Sequence, residues 1–271
     1  MGLNIKAKDV LIALSYIKKG NWDAIYSHIK KKLPLSEKDR IEAISMVKSN
    51  YITLLDDEYP DCLKNIYKPP FVLYYYGDIS LLKSKYRLVA IGSRNPTLYQ
   101  TDTCYRIIKE LEESTNKEVV IISGMAKGMD STMMRAAIDT NSKVISVIGS
   151  GIDNPYPKDN IAIYDYCVKN GLVLSEYPLD LEAKPKNFLF RNRILAALAP
   201  SIFVGSGKQR SGTNNSVYWA TTYNKNVLAL PCNQNLDDPE LTNDLIKQGA
   251  TPILSSLDLK DEILEASKIE S

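Results

Sequence analysis

Short apolar runs alternate with helical patterns from Tyr59 onward, and this predicts an α/β fold: an extended Rossmann-like, doubly wound, mostly parallel sheet. Three observations carry the prediction. The runs are apolar throughout, as strands covered on both faces require. Helical stretches fit between most of them. Glycine-rich turns follow four of them, where sheets of this kind place their ligands. The first fifty residues differ in texture and read as a small N-terminal helical module.

In that module, Asp9 is positioned to cap a helix through Lys19, Asn21 a second through Lys31, and Ser36 a third through Lys48. Pro34 separates the last two, and the module's lysines read as a solvated face. The expected strands are Phe71–Tyr76, Leu88–Ile91, Val119–Ile122, Val144–Ile148, Leu172–Leu174, Ile202–Val204, Val227–Leu230 and Pro252–Leu254. The expected helices are Asp102–Ser114, Ser131–Asp139, Lys158–Asn170, Arg191–Leu198, Asn215–Asn224 and Leu241–Gln248. A short charged helix, Asp258–Lys268, follows. The expected organisation is a helical module over 1–50, a Rossmann-like domain over 51–257 and a tail over 258–271, with no third domain.

Composition removes several function classes. The formal net charge is only +2, so a nucleic-acid surface must be a local patch. His28 is the only histidine, which excludes a Ser-His-Asp triad in the main domain and any zinc site needing two histidines. Cys62, Cys104, Cys167 and Cys232 are far apart and form no Cys-x-x-Cys pair. They read as free thiols of a reducing cytosol, so a cytoplasmic location is expected. Val10–Ile17 is apolar but short, and it runs into Lys18-Lys19-Gly20-Asn21. It reads as a packed helix, and no run is long enough to span a membrane. An AT-rich genome also enriches Tyr, so the 17 tyrosines are weak evidence for base stacking.

The strand-end turns carry the chemistry. They are Gly92-Ser93-Arg94-Asn95, Ser123-Gly124-Met125-Ala126-Lys127-Gly128, Gly149-Ser150-Gly151 and Gly205-Ser206-Gly207-Lys208-Gln209-Arg210-Ser211-Gly212-Thr213. Glycine lets backbone N–H groups converge on an anion, and the helix that follows adds its dipole. Several such turns at one sheet edge predict an anion-binding rim. The stretch Lys186-Asn187-Phe188-Leu189-Phe190-Arg191-Asn192-Arg193 sets cations around two rings. A helix opening at Arg-Asn-Arg would offer guanidinium forks beside free backbone N–H groups. The rings would stack on a ligand or pack into the core. Familiar nucleotide motifs fail. Gly205-Ser-Gly-Lys208 lacks the first glycine of a P-loop and has Gln209 in place of Ser/Thr. Gly149-Ser-Gly151 lacks the third glycine of the dinucleotide fingerprint.

The order of these elements resembles the DNA-processing protein A family, also called DprA or Smf. The resemblance rests on Tyr59-Pro60, Tyr75-Tyr76-Gly77, Val89-Ala90-Ile91-Gly92-Ser93-Arg94, Ser123 to Asp130, Gly149 to Pro157, Leu174-Ser175-Glu176-Tyr177-Pro178, Lys186-Asn187-Phe188 with Arg191-Asn192-Arg193, Ser211-Gly212-Thr213 and Gly249-Ala250. They span roughly Tyr59 to Leu254. It implies a non-catalytic protein that binds and protects incoming single-stranded DNA as a homodimer. It also implies help in loading RecA recombinase during natural transformation. No cofactor, metal ligand or catalytic residue is implied.

Residue by residue, the resemblance implies that Arg94, beside Gly92 and Ser93, touches a phosphate. Lys186, Arg191 and Arg193 would line a basic pocket, with Asn187 and Asn192 as neutral donors. The N–H groups of Gly124, Met125, Ala126, Lys127 and Gly128 would cradle the backbone. Phe188 would offer a stacking face or pack in the core, and Ser211, Gly212 and Thr213 would complete the site. Asp130, Asp153 and Glu176 would hold loops or orient arginines. Met133-Met134 stand where the family usually has Ala-His, and Leu189 replaces a usual proline. The chain also stops before the winged helix of many relatives, so it is expected to be a divergent member.

Two other readings share the same rim. One is a sensor of a small nucleotide. The other is a nucleotide phosphoribohydrolase, which needs a glutamate three residues beyond the Gly-Thr threonine; Ser216 stands there. For dimerisation, Leu241, Leu245 and Ile246 either form the face or cover the sheet.

Overall fold

The computed structural model describes residues 2–233 and 241–269. Three helices come first: α1 (Gly2–Ile17), α2 (Trp22–Lys30) and α3 (Glu37–Met46). Asn21 and Ser36 cap α2 and α3, accepting from the Ala24 and Asp39 amides at 3.0 Å each. Asp9 does not cap α1. That helix already runs from Gly2, and Asp9 lies inside it, accepting from Arg40 of α3 at 2.6 Å. Leu11 and Ile12 of α1 pack into the same core cluster as Val72 and Tyr74 of the sheet.

Nine strands form one sheet among the described residues: β1 (Asn50–Thr53), β2 (Val72–Gly77), β3 (Tyr86–Ile91), β4 (Val119–Ser123), β5 (Val144–Gly151), β6 (Leu172–Tyr177), β7 (Ser201–Val204), β8 (Asn226–Ala229) and β9 (Thr251–Pro252). Their order is β1-β2-β6-β5-β4-β3-β7-β8-β9. Seven of them, β3 to β9, are parallel, and β1 and β2 add an antiparallel edge. The sequence does not announce β1, because four residues are too few to show a period. β5 runs on through Gly149-Ser150-Gly151 after a register shift, so that glycine turn is strand rather than loop.

The remaining helices are α4 (Asp61–Lys64), α5 (Leu98–Ser114), α6 (Met129–Asp139), α7 (Ile161–Asn170), α8 (Pro185–Ala197), α9 (Gly212–Thr222), α10 (Leu241–Lys247) and α11 (Ser256–Ile269). Alternate residues of one strand serve opposite cores. Leu88 and Ala90 of β3 join the cluster of α5, α6, α7 and α11, while Val89 and Ile91 join that of α8, α9 and α10. Burial on both faces is the reason these strands are apolar throughout. Each fully buried Leu or Ile contributes about 1.5–3 kcal/mol. Leu241 and Leu245 are buried in the second cluster, so they cover the sheet. Leu259 and Ile263 are buried too, which makes α11 part of a helical layer rather than a free tail.

The chain winds outward from β3 to β6, then crosses back to place β7 on the other side of β3. The loops after β3 and β7 therefore part in opposite directions, leaving a crevice at the carboxyl edge. Two hydrogen bonds bind its walls: Gly205 N–H to the Ile91 carbonyl and Ser93 N–H to Ser206 Oγ, both 3.0 Å.

Candidate nucleic-acid interface

Helix α8 sets the site, and it does not begin where its apolar run suggests. It opens at Pro185, whose missing N–H suits the first helical turn. Arg191, Asn192 and Arg193 are consequently interior to the helix. Their amides lie within its ladder and offer nothing to an anion.

Two of the three expected cations are also buried. Arg193 is 0% exposed. Its Nη2 donates to Glu176 Oε1 at 2.6 Å and to the Lys68 carbonyl at 2.8 Å, and its Nη1 donates to the Phe190 carbonyl at 2.9 Å. The guanidinium lies 3.6 Å from the Phe190 ring centre. Arg193 acts as a structural clamp: fully buried and held by these partners, it presents no surface to the cleft, where the resemblance implied a pocket-lining cation. Burial pushes the Glu176 carboxyl up, and Arg193 pulls it back.

Arg191 donates from Nη1 to the carbonyls of Gly124, at 3.0 Å, and Val147, and from Nε to Asn192 Oδ1. Burial lowers its pKa to about 10, against the opposing charge of Asp130. Asp130 accepts from the Gly92 amide at 3.2 Å and the Ala126 amide at 3.4 Å. Burial raises its carboxyl, and the Arg191 charge opposes that rise. A Cβ on Gly124 would sit 2.6 Å from Arg191 Nη2, so the chain needs glycine where this cation passes beneath. The Gly92, Ser93 and Ala126 amides are thus committed to internal bonds.

Above this floor, Arg94, Gly124, Ala126, Lys127, Phe188 and Arg191 line one cleft with Tyr156 and Pro157. Arg94 is exposed, and its guanidinium carbon stands 5.9 Å from the Phe188 ring centre. Phe188 is half-buried and tilts 39° against Tyr156, with ring centres 5.6 Å apart. Lys127 is exposed and ion-paired with Asp159. The ring and the cations together suit a phosphate with a base beside it. Sequence reasoning gave Tyr156 no role; the Pro155-Tyr-Pro157 run beside a glycine turn was its only signal.

The other expected residues lie elsewhere. Met125 buries its side chain in the core, with φ +57°. Gly128, with φ +79°, precedes α6, and its carbonyl accepts from Ser131 and Thr132. Ser211 caps α9, and Thr213 is buried against Gly207. Asn192 Nδ2 donates to the Gly212 carbonyl and to Asn215 Oδ1, at 3.2 Å each, tying α8 to the Ser-Gly-Thr turn. Lys186 and Asn187 line a separate groove.

Fold and site together define a doubly wound α/β protein with a cationic, aromatic-faced cleft at the carboxyl edge of its sheet. The family model for DNA recombination-mediator protein A matches residues 50–265, and the chain belongs to that family. It is 35% identical over 218 residues to DNA processing protein DprA of Bacillus subtilis, covering 80% of this chain and 72% of the relative. The X-ray structure of DNA processing protein A from Streptococcus pneumoniae superposes with a TM-score of 0.75 at 28% identity, covering 97% of each chain. DNA processing protein A from Helicobacter pylori, solved for its single-stranded DNA binding mode, superposes at 0.71 with 30% identity, covering 80% of this chain and 97% of that one. Among the described residues, no helix is long and apolar enough to cross a membrane.

Proposed function

We propose that this protein binds single-stranded DNA without catalysis, holding phosphates against Arg94 and Lys127 and a base against Phe188. One observation carries the reading: the exposed Arg94 guanidinium stands over the Phe188 ring at the sheet edge where this fold takes ligands. The single-stranded DNA binding of the Helicobacter pylori relative supports it. The non-catalytic part has its own support. Asp130 is engaged by Gly92 and Ala126, and Glu176 by Arg193, so both carboxylates hold the scaffold. Ser216 occupies the position where a phosphoribohydrolase needs glutamate, and it is buried.

In the cell, this reading extends to protecting incoming strands in the cytoplasm and helping load RecA recombinase. As a homodimer, the protein places two clefts on one strand and raises the effective concentration of the second contact. The test is a fluorescence-anisotropy titration of labelled oligothymidylate over a salt series. Arg94→Ala weakens binding to all sequences alike and lowers the log–log salt slope by about 0.7, the release expected from one single-strand phosphate contact. Unchanged affinity in Arg94→Ala contradicts the reading. So does tight mononucleotide binding by a wild type that ignores DNA.

A further inference from the structure

Helix α8 separates two clefts. Phe188 and Arg191, three residues apart, share the side that faces the strand-end cleft. Lys186 and Phe190, at i and i+4, share another side and with Asn187 line a groove. The far wall of that groove is the turn between α1 and α2, with Lys18, Lys19 and Trp22. The turn is pinned in place. Gly20 has φ +67°, and a Cβ there would lie 2.7 Å from the Glu176 carbonyl oxygen. Trp22 donates from Nε1 to the Pro69 carbonyl at 2.7 Å and stacks on Phe71 at 5.1 Å.

The groove is one-sided in charge. Lys18, Lys19, Lys184 and Lys186 line it, and none has an acidic partner among the described residues. The one acidic residue on its walls, among those described, is Asp23, which Lys68 already neutralises at 2.6 Å. The next cleft along adds Asp180 and Glu182 and closes the cationic path. Two further observations point to a ligand. Asn187 is only 6% exposed and lines the groove, and its carboxamide, with no hydrogen-bond partner among the described residues, opens onto it. Beside it, α8 starts at Lys184 with no side-chain capping bond; Pro185 has no N–H and the Asn187 amide donates to the Lys184 carbonyl at 2.9 Å, so this end contributes its dipole rather than free amides.

We propose that this groove is a second binding site for the phosphodiester backbone of single-stranded DNA, continuous with the strand-end cleft. The strand crosses the first turn of α8, from Arg94 and Phe188 on one side to Lys186, Lys18 and Lys184 on the other. The site rests on the single-stranded DNA reading and gives the helical module a function as half of the binding surface. It differs from the Arg94 cleft in the length of strand it requires.

The experiment compares wild type, Lys18→Ala/Lys184→Ala and Lys18→Arg/Lys184→Arg by anisotropy. The probes are labelled oligothymidylates of roughly 6 and roughly 20 nucleotides, chosen around usual single-strand footprints. The alanine pair is expected to match wild type on the short probe and to bind the long one about tenfold more weakly. Its salt slope on the long probe is expected to fall by about 1.4, for two lost phosphate contacts. The arginine pair restores both, which a folding defect would not allow. Wild-type affinity of the alanine pair for the long probe overturns the proposal, as does an equal loss on both probes. A wild type that binds neither probe overturns the single-stranded DNA reading itself, and the groove site with it.

Discussion

Arg193 is fully buried, and Glu176, three backbone carbonyls and the Phe190 ring surround its guanidinium. Removing one partner of such a pair leaves an uncompensated buried charge, so Arg193→Ala should lower stability by about 3–5 kcal/mol. Thermal unfolding should show this as a large drop in Tm, while exposed Arg94→Ala leaves Tm unchanged. The two arginines lie in equally basic stretches of sequence, and only burial separates their roles. A string of letters does not display burial, which is why the cation on the surface and the cation in the clamp looked alike. Glu112 gives a second test at this scale. It is 0% exposed, and burial pushes its carboxyl up to about 8, with the Ser142 hydroxyl opposing. The folded state therefore keeps a proton that the unfolded chain loses near the ordinary 4.5. Its contribution to stability is intact below pH 4.5 and declines as pH rises to about 8. Glu112→Gln removes that titration. Its Tm should exceed the wild-type value at pH 8 by several degrees, and the gap should shrink toward pH 5.

Elements decide which side chains meet. The strands were legible because both faces of each are buried, and a continuous apolar run follows directly from that. The Asn21 and Ser36 caps were legible because a side-chain oxygen before a helix has one local job. The start of α8 was not legible from its apolar run, which begins at Ile194, because the first two turns are polar and aromatic. Pro185 was the available signal, since proline suits the first turn of a helix as well as a break. Placing the start there turns Lys186 and Phe188 to different sides of one helix and so creates two clefts where the sequence suggested one pocket. The turn between α1 and α2 forms the outer wall of the second. Gly20→Ala puts a Cβ into the Glu176 carbonyl at a positive φ. It should undock this turn, lowering Tm and exposing the chain near Lys19 to limited proteolysis faster than in wild type.

At the scale of the molecule, topology brings distant residues together. The reversal between β3 and β7 opens the crevice, and the loops after β3, β4 and β5 supply Arg94, Gly124 and Tyr156 to one cleft. Strand and helix alternation predicted this edge as the place to look, and glycine-rich turns marked it. Which of those glycines line the cleft depends on hydrogen bonds no pattern displays, such as those that commit the Gly92 and Ala126 amides to Asp130. The central claim is that the phosphodiester backbone runs through this cleft. The most direct measurement is a crystal structure of the protein with a short oligothymidylate. The account predicts a phosphate oxygen within hydrogen-bond distance of Arg94 and a base against Phe188. A strand seated on another face, with this cleft empty, would contradict it.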